Sequence, residues 1–264
     1  MPPKMTVRFW GVRGSIPAPG PSTVRYGGNI GCVSIDLGGD GTLILDGGTG
    51  IRQLGKALVS MPTDIFILVS HIHWDHIQGM PFFEPLYQPD RTIYMVPFRF
   101  GRVFSRLIQQ MDGAHFPVSR ESLPSQCHHV RRRAMAFLRK QGFMVSQIAI
   151  NHPGGGYGYR IETGCRSIVY LTDNELVPPP RHKATDFGEF VRFCRNANVL
   201  IHDAQYVEED MPQKKGWGHS LPRQACELVA AAGIYPVIKA AKAGIRINAN
   251  TNHSVTATIN NLLI

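Results

Sequence analysis

Short apolar runs alternate with glycines and polar residues along the chain, and this pattern predicts strands interleaved with helices. The predicted strands are residues 6–10, 32–37, 42–46, 64–70, 144–150, 158–162, 167–172 and 198–201. The predicted helices lie within 46–60 after a tight turn, and over 101–111, 186–194 and 221–233, while 131–140 fits either a helix or a charged loop. Because strands and helices interleave in both halves, we expect two sheet layers with helices outside.

Several of the predicted strands end directly in polar residues that can bind metals. His71, His152 and Asp173 each follow an apolar strand closely, and His202 with Asp203 follows another. Strand ends in sheet proteins are rigid and open onto a crevice, which is where sites are built. We therefore expect these side chains to belong to a functional site.

Composition narrows the class of protein. The chain has 264 residues and carries 28 Lys+Arg against 19 Asp+Glu, a net charge of +9 that weakly favours an anionic ligand. No apolar run approaches the ~20 residues that span a bilayer, and the N-terminal sequence has no signal-peptide core. The five cysteines form no CxxC pair, which argues against a disulfide scaffold or a thiolate zinc site. We expect a cytoplasmic protein without membrane contact.

The strongest chemical signal is the segment HIHWDH at residues 71–76. Three imidazoles and a carboxylate lie within six residues, and these groups suit Zn²⁺, Mn²⁺ or Fe²⁺. In an extended turn, His71 and His73 point the same way and can bind one ion, while Asp75 and His76 face a second. A polar loop with chance histidines is the alternative, but burying so many titratable groups without an ion is unfavourable.

Two further residues offer what one loop cannot. His152 lies between a strand and a glycine-rich segment, where backbone can come close to a ligand. Asp173 ends an apolar strand, and a carboxylate there could bridge two cations. Taken alone, His152 is an ordinary loop histidine and Asp173 a turn cap.

The segment HIHWDH also matches HxHxDH, and with it the chain resembles the metallo-β-lactamase fold. The resemblance runs from about Val7 to about Gly233. It is carried by ordered segments that are similar to the phosphodiesterase branch near cyclic-nucleotide phosphodiesterases, the phosphonate-pathway cyclic phosphodiesterase and tRNase Z. These segments are RFWGVRGSIPAPGP, RYGGNIGCVSID, LDGGTGIR, HIHWDHIQGMPFF, NHPGGGYGYRIE, LTDNE, LIHDAQY and KKGWGHS. The resemblance implies an α/β fold, an αββα four-layer sandwich, in one domain over residues 1–264.

The same resemblance implies a binuclear metal site. Two divalent ions are expected, with zinc preferred and manganese or iron as alternatives. One ion would be held by His71, His73 and His152, and the other by Asp75 and His76, with Asp173 bridging them. Asp75 is placed among the catalytic residues as well.

The resemblance to tRNase Z extends to a second pair of residues. His219 would donate a proton to the leaving oxygen, and Asp203 would orient it. A histidine beside a carboxylate keeps a useful tautomer, so the residue chemistry agrees. The alternative for His219 is a surface histidine that precedes a helix whose N-cap is Ser220.

The chain departs from the family pattern near its end. The family normally supplies one more ligand histidine in a strand that should fall near residues 236–243, where PVIKAAKA stands instead. Three explanations compete: His253 takes the role, the second ion is weakly held, or the tail is altered. We prefer an altered tail over 234–264, since that stretch contains no Asp or Glu, and we expect the ion on Asp75 and His76 to be the weaker one.

Other features have both a functional and a structural interpretation. Asp46 is expected either to support the metal loop or to serve as a turn residue, and both can hold together. Residues in glycine-rich loops could meet phosphate or form turns: Arg13, Ser15, Tyr26 and Asn29. Trp74 is expected to be a packing wall. The basic cluster at 131–133 could guide a nucleotide or form a solvated face.

The function predicted from the sequence is a binuclear metal-dependent hydrolase, a phosphodiesterase for a small anionic phosphodiester such as a 3′,5′-cyclic nucleotide. One alternative is a hydrolase of the same fold that acts on a lactone, thioester or sulfate ester. Another is a metal-binding protein with impaired catalysis, because the last ligand histidine is missing. No nucleic-acid-binding motif is recognisable, so nucleic acid is not expected as a partner, and a homodimer is a further expectation.

Overall fold

The computed structural model describes residues 5–36, 41–96, 109–130, 134–164, 166–179, 184–234 and 257–258. The chain divides into two compact units. The first unit comprises residues 1–141 and 255–260, and the second comprises residues 142–254 and 261–264. The expectation of one domain over 1–264 stays a prediction.

The strands are numbered in chain order. They are β1 (Thr6–Gly11), β2 (Cys32–Asp36), β3 (Gly41–Leu45), β4 (Asp64–Leu68), β5 (Thr92–Met95), β6 (Gln126–His129), β7 (Met144–Ala149), β8 (Tyr157–Thr163), β9 (Arg166–Leu171), β10 (Val199–His202) and β11 (Ala257–Thr258). The α-helices are α1 (Ile51–Leu58), α2 (Ala134–Lys140), α3 (Phe187–Cys194), α4 (Met211–Lys214) and α5 (Pro222–Ala231).

All eight strands predicted from the apolar runs are present, with ends that differ by one or two residues. The predicted helices within 46–60, 186–194 and 221–233 are present as α1, α3 and α5. The ambiguous stretch 131–140 is helical over 134–140, whereas residues 131–133 and 101–108 lie outside the described residues. Strands β5 and β6 were not predicted, because each is only four residues long and β6 reads QCHH, without an apolar run.

The first unit is built on a mixed sheet of the order β11-β1-β2-β3-β4-β5-β6. The pairs β1–β2 and β2–β3 are antiparallel, and β3 through β6 pair in parallel. Helix α1 packs on this sheet because its apolar residues recur at helical spacing, and Ile51, Leu54 and Leu58 are buried. They join Ile44 and Ile67 of the sheet in one apolar core.

One arginine closes the end of α1. The Arg91 guanidinium donates hydrogen bonds to the carbonyl oxygens of Leu58 and Val59, which lie at the C-terminal end of the helix. It also donates to the carbonyl of Thr63, directly before β4. A cation suits a helix C-terminus, where carbonyl groups lack intrahelical donors. Arg91 therefore fixes the entry into the strand that leads to the predicted metal loop.

The second unit contains a sheet of the order β10-β9-β8-β7. The pair β9–β10 is parallel, and the pairs β7–β8 and β8–β9 are antiparallel. Strand β9 is buried along its whole length, as its continuous apolar sequence predicts. Helices α3 and α5 pack against it through Phe190 and Leu228, which share a core with Val169 and Leu171.

Strand direction gathers the predicted site residues at one edge of each sheet. In the first unit, β3 and β4 run parallel, so Asp46 and His71, which follow them, lie at the same edge. In the second unit, β7 and β9 run in the same direction because each is antiparallel to β8, and β10 is parallel to β9. The residues that follow these strands, His152, Asp173 and Asp203, therefore share an edge.

The described part of the chain includes no helix that is long and apolar enough to cross a membrane. Four cysteines, Cys32, Cys127, Cys194 and Cys226, are free thiols in it.

Candidate metal centre

In the first unit, the predicted metal loop leaves β4 and turns back sharply. A 3-10 turn over Trp74–His76 follows His73, and the backbone amide of His76 donates to the carbonyl of His73. His71 and His76 are buried at 2% and 4% exposure. The turn therefore brings together His71 and His76, from the two ends of the motif, with ring centres 4.1 Å apart.

His71 and His73 come together as a pair of ligands would. His71 Nε2 and His73 Nδ1 are 3.0 Å apart. This is close to the separation of two nitrogens that each lie ~2.0–2.1 Å from one zinc ion. On its other side, His71 Nδ1 lies 3.1 Å from Ser70 Oγ.

Asp75 and His76 form the second pair of the loop. Asp75 Oδ2 is 3.7 Å from His76 Nε2, while His76 Nδ1 points the other way, toward Asp46. Asp75 Oδ2 also accepts a hydrogen bond of 3.1 Å from the backbone amide of Ser15, which adopts a left-handed conformation with φ 65°. The N-terminal loop with Ser15 thus positions a predicted ligand through its backbone.

Asp46 is completely buried and supports this loop through hydrogen bonds. Its carboxylate accepts a hydrogen bond of 2.7 Å from the backbone amide of Ser70 and one of 2.9 Å from Ser70 Oγ. His76 Nδ1 lies 2.8 Å from Asp46 Oδ2, so the carboxylate favours a proton on Nδ1, and Nε2 is the atom that could bind a metal. Asp46 thus contacts the loop backbone and a histidine of the motif, as its predicted supporting role requires.

The glycines after Asp46 allow the loop to pack closely. The amide of Gly47 donates to the carbonyl of His76, and a Cβ at Gly48 would lie 2.9 Å from the carbonyl oxygen of Asp75. The sequence GGTG therefore serves close backbone packing beneath residues 75 and 76.

In the second unit, His152 is oriented by a backbone carbonyl. Its Nδ1 lies 3.1 Å from the carbonyl oxygen of Gly218, which can only accept, so Nδ1 donates the hydrogen bond and Nε2 is the atom that could bind a metal. His152 Nε2 in turn lies 3.8 Å from Asp173 Oδ2.

The second unit also contains a cluster that could hold a metal ion. One ligand atom each from His152, Asp173 and His219 lies within 4.8 Å of the others. Asp173 has a left-handed backbone, with φ 49°, as does Asp46 in the first unit, with φ 61°. Such strained backbone in a residue other than glycine is uncommon and is concentrated at functional sites.

Asp203 and His219 form a buried pair. His219 Nδ1 lies 3.1 Å from Asp203 Oδ2, and the two residues are 9% and 6% exposed. Asp203 is itself held by the amide of Asn174, which donates to Oδ1 at 2.9 Å. The alternative of a surface histidine at position 219 is wrong, because its ring is buried and packs edge-on against the rings of His152 and Tyr206. The hydroxyl of Ser220 donates to the carbonyl of Asn174, so Ser220 does not cap α5, whose N-cap is Leu221.

One positioning residue was not predicted. Glu175 is 2% exposed, and its carboxylate accepts hydrogen bonds from the amides of Gly216 and Gly218. The same Gly218 orients His152 through its carbonyl, and a Cβ on Gly218 would overlap the His152 ring. The signal in the sequence was an acidic residue two positions after Asp173, in LTDNE, which the strand pattern alone did not single out.

The remaining predicted residues have local contacts. Arg13 donates to the carbonyl of Ile16, and Asn29 accepts from Thr49 Oγ1, which favours the turn interpretation. Trp74 is 69% exposed, and its Nε1 donates to Gln110, so it is not a packing wall within the described part of the first unit. The predicted contribution of the 236–243 segment and of His253 lies outside the described residues.

The donor set of both clusters fits a divalent metal. Imidazole nitrogens and carboxylate oxygens are the ligands that zinc, manganese and iron(II) take, and in each unit a buried acceptor holds at least one histidine with its outer nitrogen toward the cluster.

Comparison with known proteins places the chain. The model of the beta-lactamase superfamily domain matches residues 42–239. This chain belongs to the beta-lactamase superfamily. The predicted metallo-β-lactamase fold, an α/β fold in which two sheets carry helices, is confirmed, and so is the prediction of a metal-dependent hydrolase.

Relatives within the superfamily include ribonuclease Z of Staphylococcus carnosus (strain TM300), which is 21% identical over 86% of this chain and 85% of that protein. Among solved structures, the metallo-beta-lactamase fold protein YhfI of Bacillus subtilis has a TM-score of 0.60 and 18% identity, over 88% of this chain and 83% of YhfI. Human tRNase Z, short form, has a TM-score of 0.57 and 18% identity, over 86% of this chain and 89% of that one. At these identities, the structural likeness establishes the fold.

Proposed function

We propose that the protein is a metal-dependent phosphodiesterase. One ion would be held by His71, His73 and His152 and the other by Asp75 and His76, with Asp173 as a shared carboxylate. The observation that carries the proposal is the pairing of Nδ1 of the predicted ligand histidines with buried acceptors, His76 with Asp46 and His152 with the Gly218 carbonyl, because this pairing assigns Nε2 to the metal. Such partners fix the tautomer and the orientation of a ligand histidine.

The chain's own residues supply orientation and a proton. Bound divalent ions supply a Lewis acid, which activates water and stabilises the charge that develops on the phosphoryl oxygens. His219 donates a proton from Nε2 to the leaving oxygen, while Asp203 accepts from Nδ1 and holds the ring in that orientation. Burial of the pair keeps competing water away from it.

Two classes of phosphodiester are candidates for the substrate. A small diester such as a 3′,5′-cyclic nucleotide is the prediction from the sequence. The relatives named ribonuclease Z support an RNA diester as the second candidate and weigh against the expectation that nucleic acid is no partner. A protein that binds metal without turnover is the remaining alternative, because residues 236–243 contain no histidine.

The test uses His219→Ala and a matched control. His115 is paired with Asp112 at 2.6 Å, as His219 is with Asp203, but its side chain is 79% exposed. His115→Ala therefore removes a histidine that is paired with an aspartate in the same way but lies at the surface. Metal content and hydrolysis of bis(p-nitrophenyl) phosphate, cyclic AMP and a short RNA are measured for all three proteins. His219→Ala should lower kcat by about 10²- to 10⁴-fold and retain the metal, while His115→Ala should match the wild type.

Three outcomes contradict the proposal in different ways. Loss of metal together with activity in His219→Ala would make His219 a ligand instead of a proton donor. Hydrolysis of a lactone or thioester with none of any phosphodiester would overturn the reaction class. Tight metal binding with no turnover by the wild type, even in excess Mn²⁺ or Zn²⁺, would favour the non-catalytic alternative.

A further inference from the structure

Lys214 lies near the Asp203–His219 pair and has no role in the reaction proposed above. Lys214 is the last residue of α4 and is half-buried, whereas its neighbour Lys215 is exposed. Both precede the glycine-rich turn at 216–218 that leads into His219.

The ammonium group of Lys214 is held by aromatic rings. Its Nζ lies 3.7 Å from the centre of the Trp217 ring and 6.0 Å from that of Tyr206. A cation over an aromatic face is attracted by the ring quadrupole, and the contact restrains a side chain that is otherwise flexible. The aromatic ring faces accept no N–H···O hydrogen bond from the ammonium group. The N–H donors of Lys214 therefore stay available to an anion.

The nearby carboxylates are engaged elsewhere. Asp203 pairs with His219, Asp210 accepts from the amide of Val207, and Glu175 accepts from the Gly216 and Gly218 amides. Glu208 and Glu227 pair with Arg223. Over the described ranges of the chain, no carboxylate forms an ion pair with Lys214.

Tyr206 connects this lysine to the proposed proton donor. The Tyr206 ring meets the His219 ring edge-on, with centres 5.3 Å apart. Burial raises the pKa of the Tyr206 hydroxyl, and the charges of Asp203, Asp210, Asp173 and Glu175 raise it further. Tyr206 therefore stays neutral at physiological pH and does not neutralise Lys214.

We propose that Lys214, held between Trp217 and Tyr206, is a specificity-determining residue that binds a second phosphate of the substrate. Lys214 Nζ and the His219 ring lie 6.0 Å and 5.3 Å from the centre of the same Tyr206 ring, so we assign the anion at Lys214 to a second phosphate and not to the diester that His219 protonates. A substrate with a further phosphate one sugar away uses both groups, whereas a 3′,5′-cyclic nucleotide has a single phosphate and gains nothing from Lys214. This assignment rests on the proposed phosphodiesterase function.

The kinetic test compares UpU, which has one diester, with UpUp, which adds a terminal phosphate. Lys214→Ala should raise KM for UpUp about tenfold with kcat little changed, because a charged hydrogen bond to bound phosphate is lost. KM for UpU should not change. Lys214→Arg, which keeps the charge, should restore most of the preference, and Lys215→Ala should behave as the wild type for both substrates.

A binding test separates failure of this subsite from failure of the proposed function. Adenosine 3′,5′-bisphosphate and adenosine 5′-monophosphate are titrated calorimetrically into the metal-loaded wild type and the same variants. Lys214→Ala should weaken the bisphosphate about tenfold and leave the monophosphate unchanged.

The outcomes are distinct. If the wild type hydrolyses no diester but binds the bisphosphate in a Lys214-dependent way, the subsite stands and the phosphodiesterase assignment fails. If diesters are cleaved and Lys214→Ala equals Lys215→Ala in both assays, the subsite is refuted and the function stands. An equal change of KM for UpU and UpUp also refutes it, as does a wild type that neither cleaves diesters nor prefers the bisphosphate.

Discussion

The loop at residues 70–76 in the first unit and the cluster around His152 and His219 in the second are organised differently. The first draws its predicted ligands from one continuous segment, which is supported by the buried side chain of Asp46. The second assembles residues from separate segments, and the carboxylate of Glu175 organises backbone amides there. The 70–76 loop therefore depends on one buried side chain, that of Asp46. The cluster around His152 and His219 depends instead on the loops that bring its residues together.

The two supporting carboxylates should therefore fail in different ways. Removing the charge of Asp46 affects the side chains of Ser70 and His76 directly. Removing the charge of Glu175 loosens the 216–219 turn. Because this turn positions His152 and His219, both side chains are then displaced together with its backbone.

The largest effect is expected from Asp46→Asn. Asparagine tolerates the left-handed conformation of residue 46, so the change isolates the lost charge and acceptor. Because the buried amide of Ser70 and His76 Nδ1 lose their anionic acceptor, the free energy of unfolding should fall by about 3 kcal/mol. Urea denaturation of metal-free protein measures this fall.

Asp90→Asn is the control, since Asp90 is an exposed aspartate of the same unit. It should change stability by less than about 0.5 kcal/mol. If Asp46→Asn is equally mild, the loop does not depend on a single buried support, and the contrast with the second unit is lost.

A smaller effect is expected from Glu175→Gln. The amide side chain keeps one acceptor oxygen but loses the charge that two backbone amides share, so the loss should be about 1–2 kcal/mol. Because the turn after α4 loosens, trypsin should cleave faster at Lys214 and Lys215. The rate of this cleavage is read from the fragments over time.

Glu227→Gln provides the matched comparison, since Glu227 is half-exposed and forms an ion pair with Arg223. It should leave the tryptic rate at Lys214 and Lys215 unchanged. An equal rate for Glu175→Gln and the wild type would mean that the turn is held by other contacts.

The smallest effect concerns the buried thiols and is absent at neutral pH. Burial raises the pKa of Cys194 to about 12, with a small opposing effect of Arg160, and burial together with the charge of Asp46 raises the pKa of Cys32. In the unfolded chain these thiols ionise near pH 9. Below pH 9 they are neutral in both states, and the unfolding free energy keeps its full value. As the pH rises from 9 toward 12, the unfolded chain ionises first, and the unfolding free energy falls.

The expected loss at pH 10 is about 1.4 kcal/mol for Cys194, measured as the difference in unfolding free energy between pH 7 and pH 10 in the presence of reductant. Cys194→Ala should reduce the difference by that amount, and Cys226→Ala, at a half-buried position, should not. Equal pH differences in all these proteins would contradict the assignment.

Much of the fold could be predicted because its strands are continuous apolar runs that end at glycines or polar residues. Strand β9 and helix α3 are examples: every residue of β9 is buried, and the capping box of α3 pairs Asp186 with Glu189. Strand β6 could not be predicted, because its sequence QCHH carries no apolar period and its pairing with β5 alone makes it a strand.

The sequence by itself determined the predicted metal loop, since His71, His73, Asp75 and His76 are neighbours in the chain and local backbone geometry is enough to group them. Only the tertiary structure decided that Glu175 holds the turn before His219, that Gly218 orients His152, and that Lys214 lies against Trp217 and Tyr206. The physical reason is that these contacts depend on which strand ends share an edge and on which backbone groups are left without partners there. Both are fixed by strand pairing across dozens of residues, which no local pattern records.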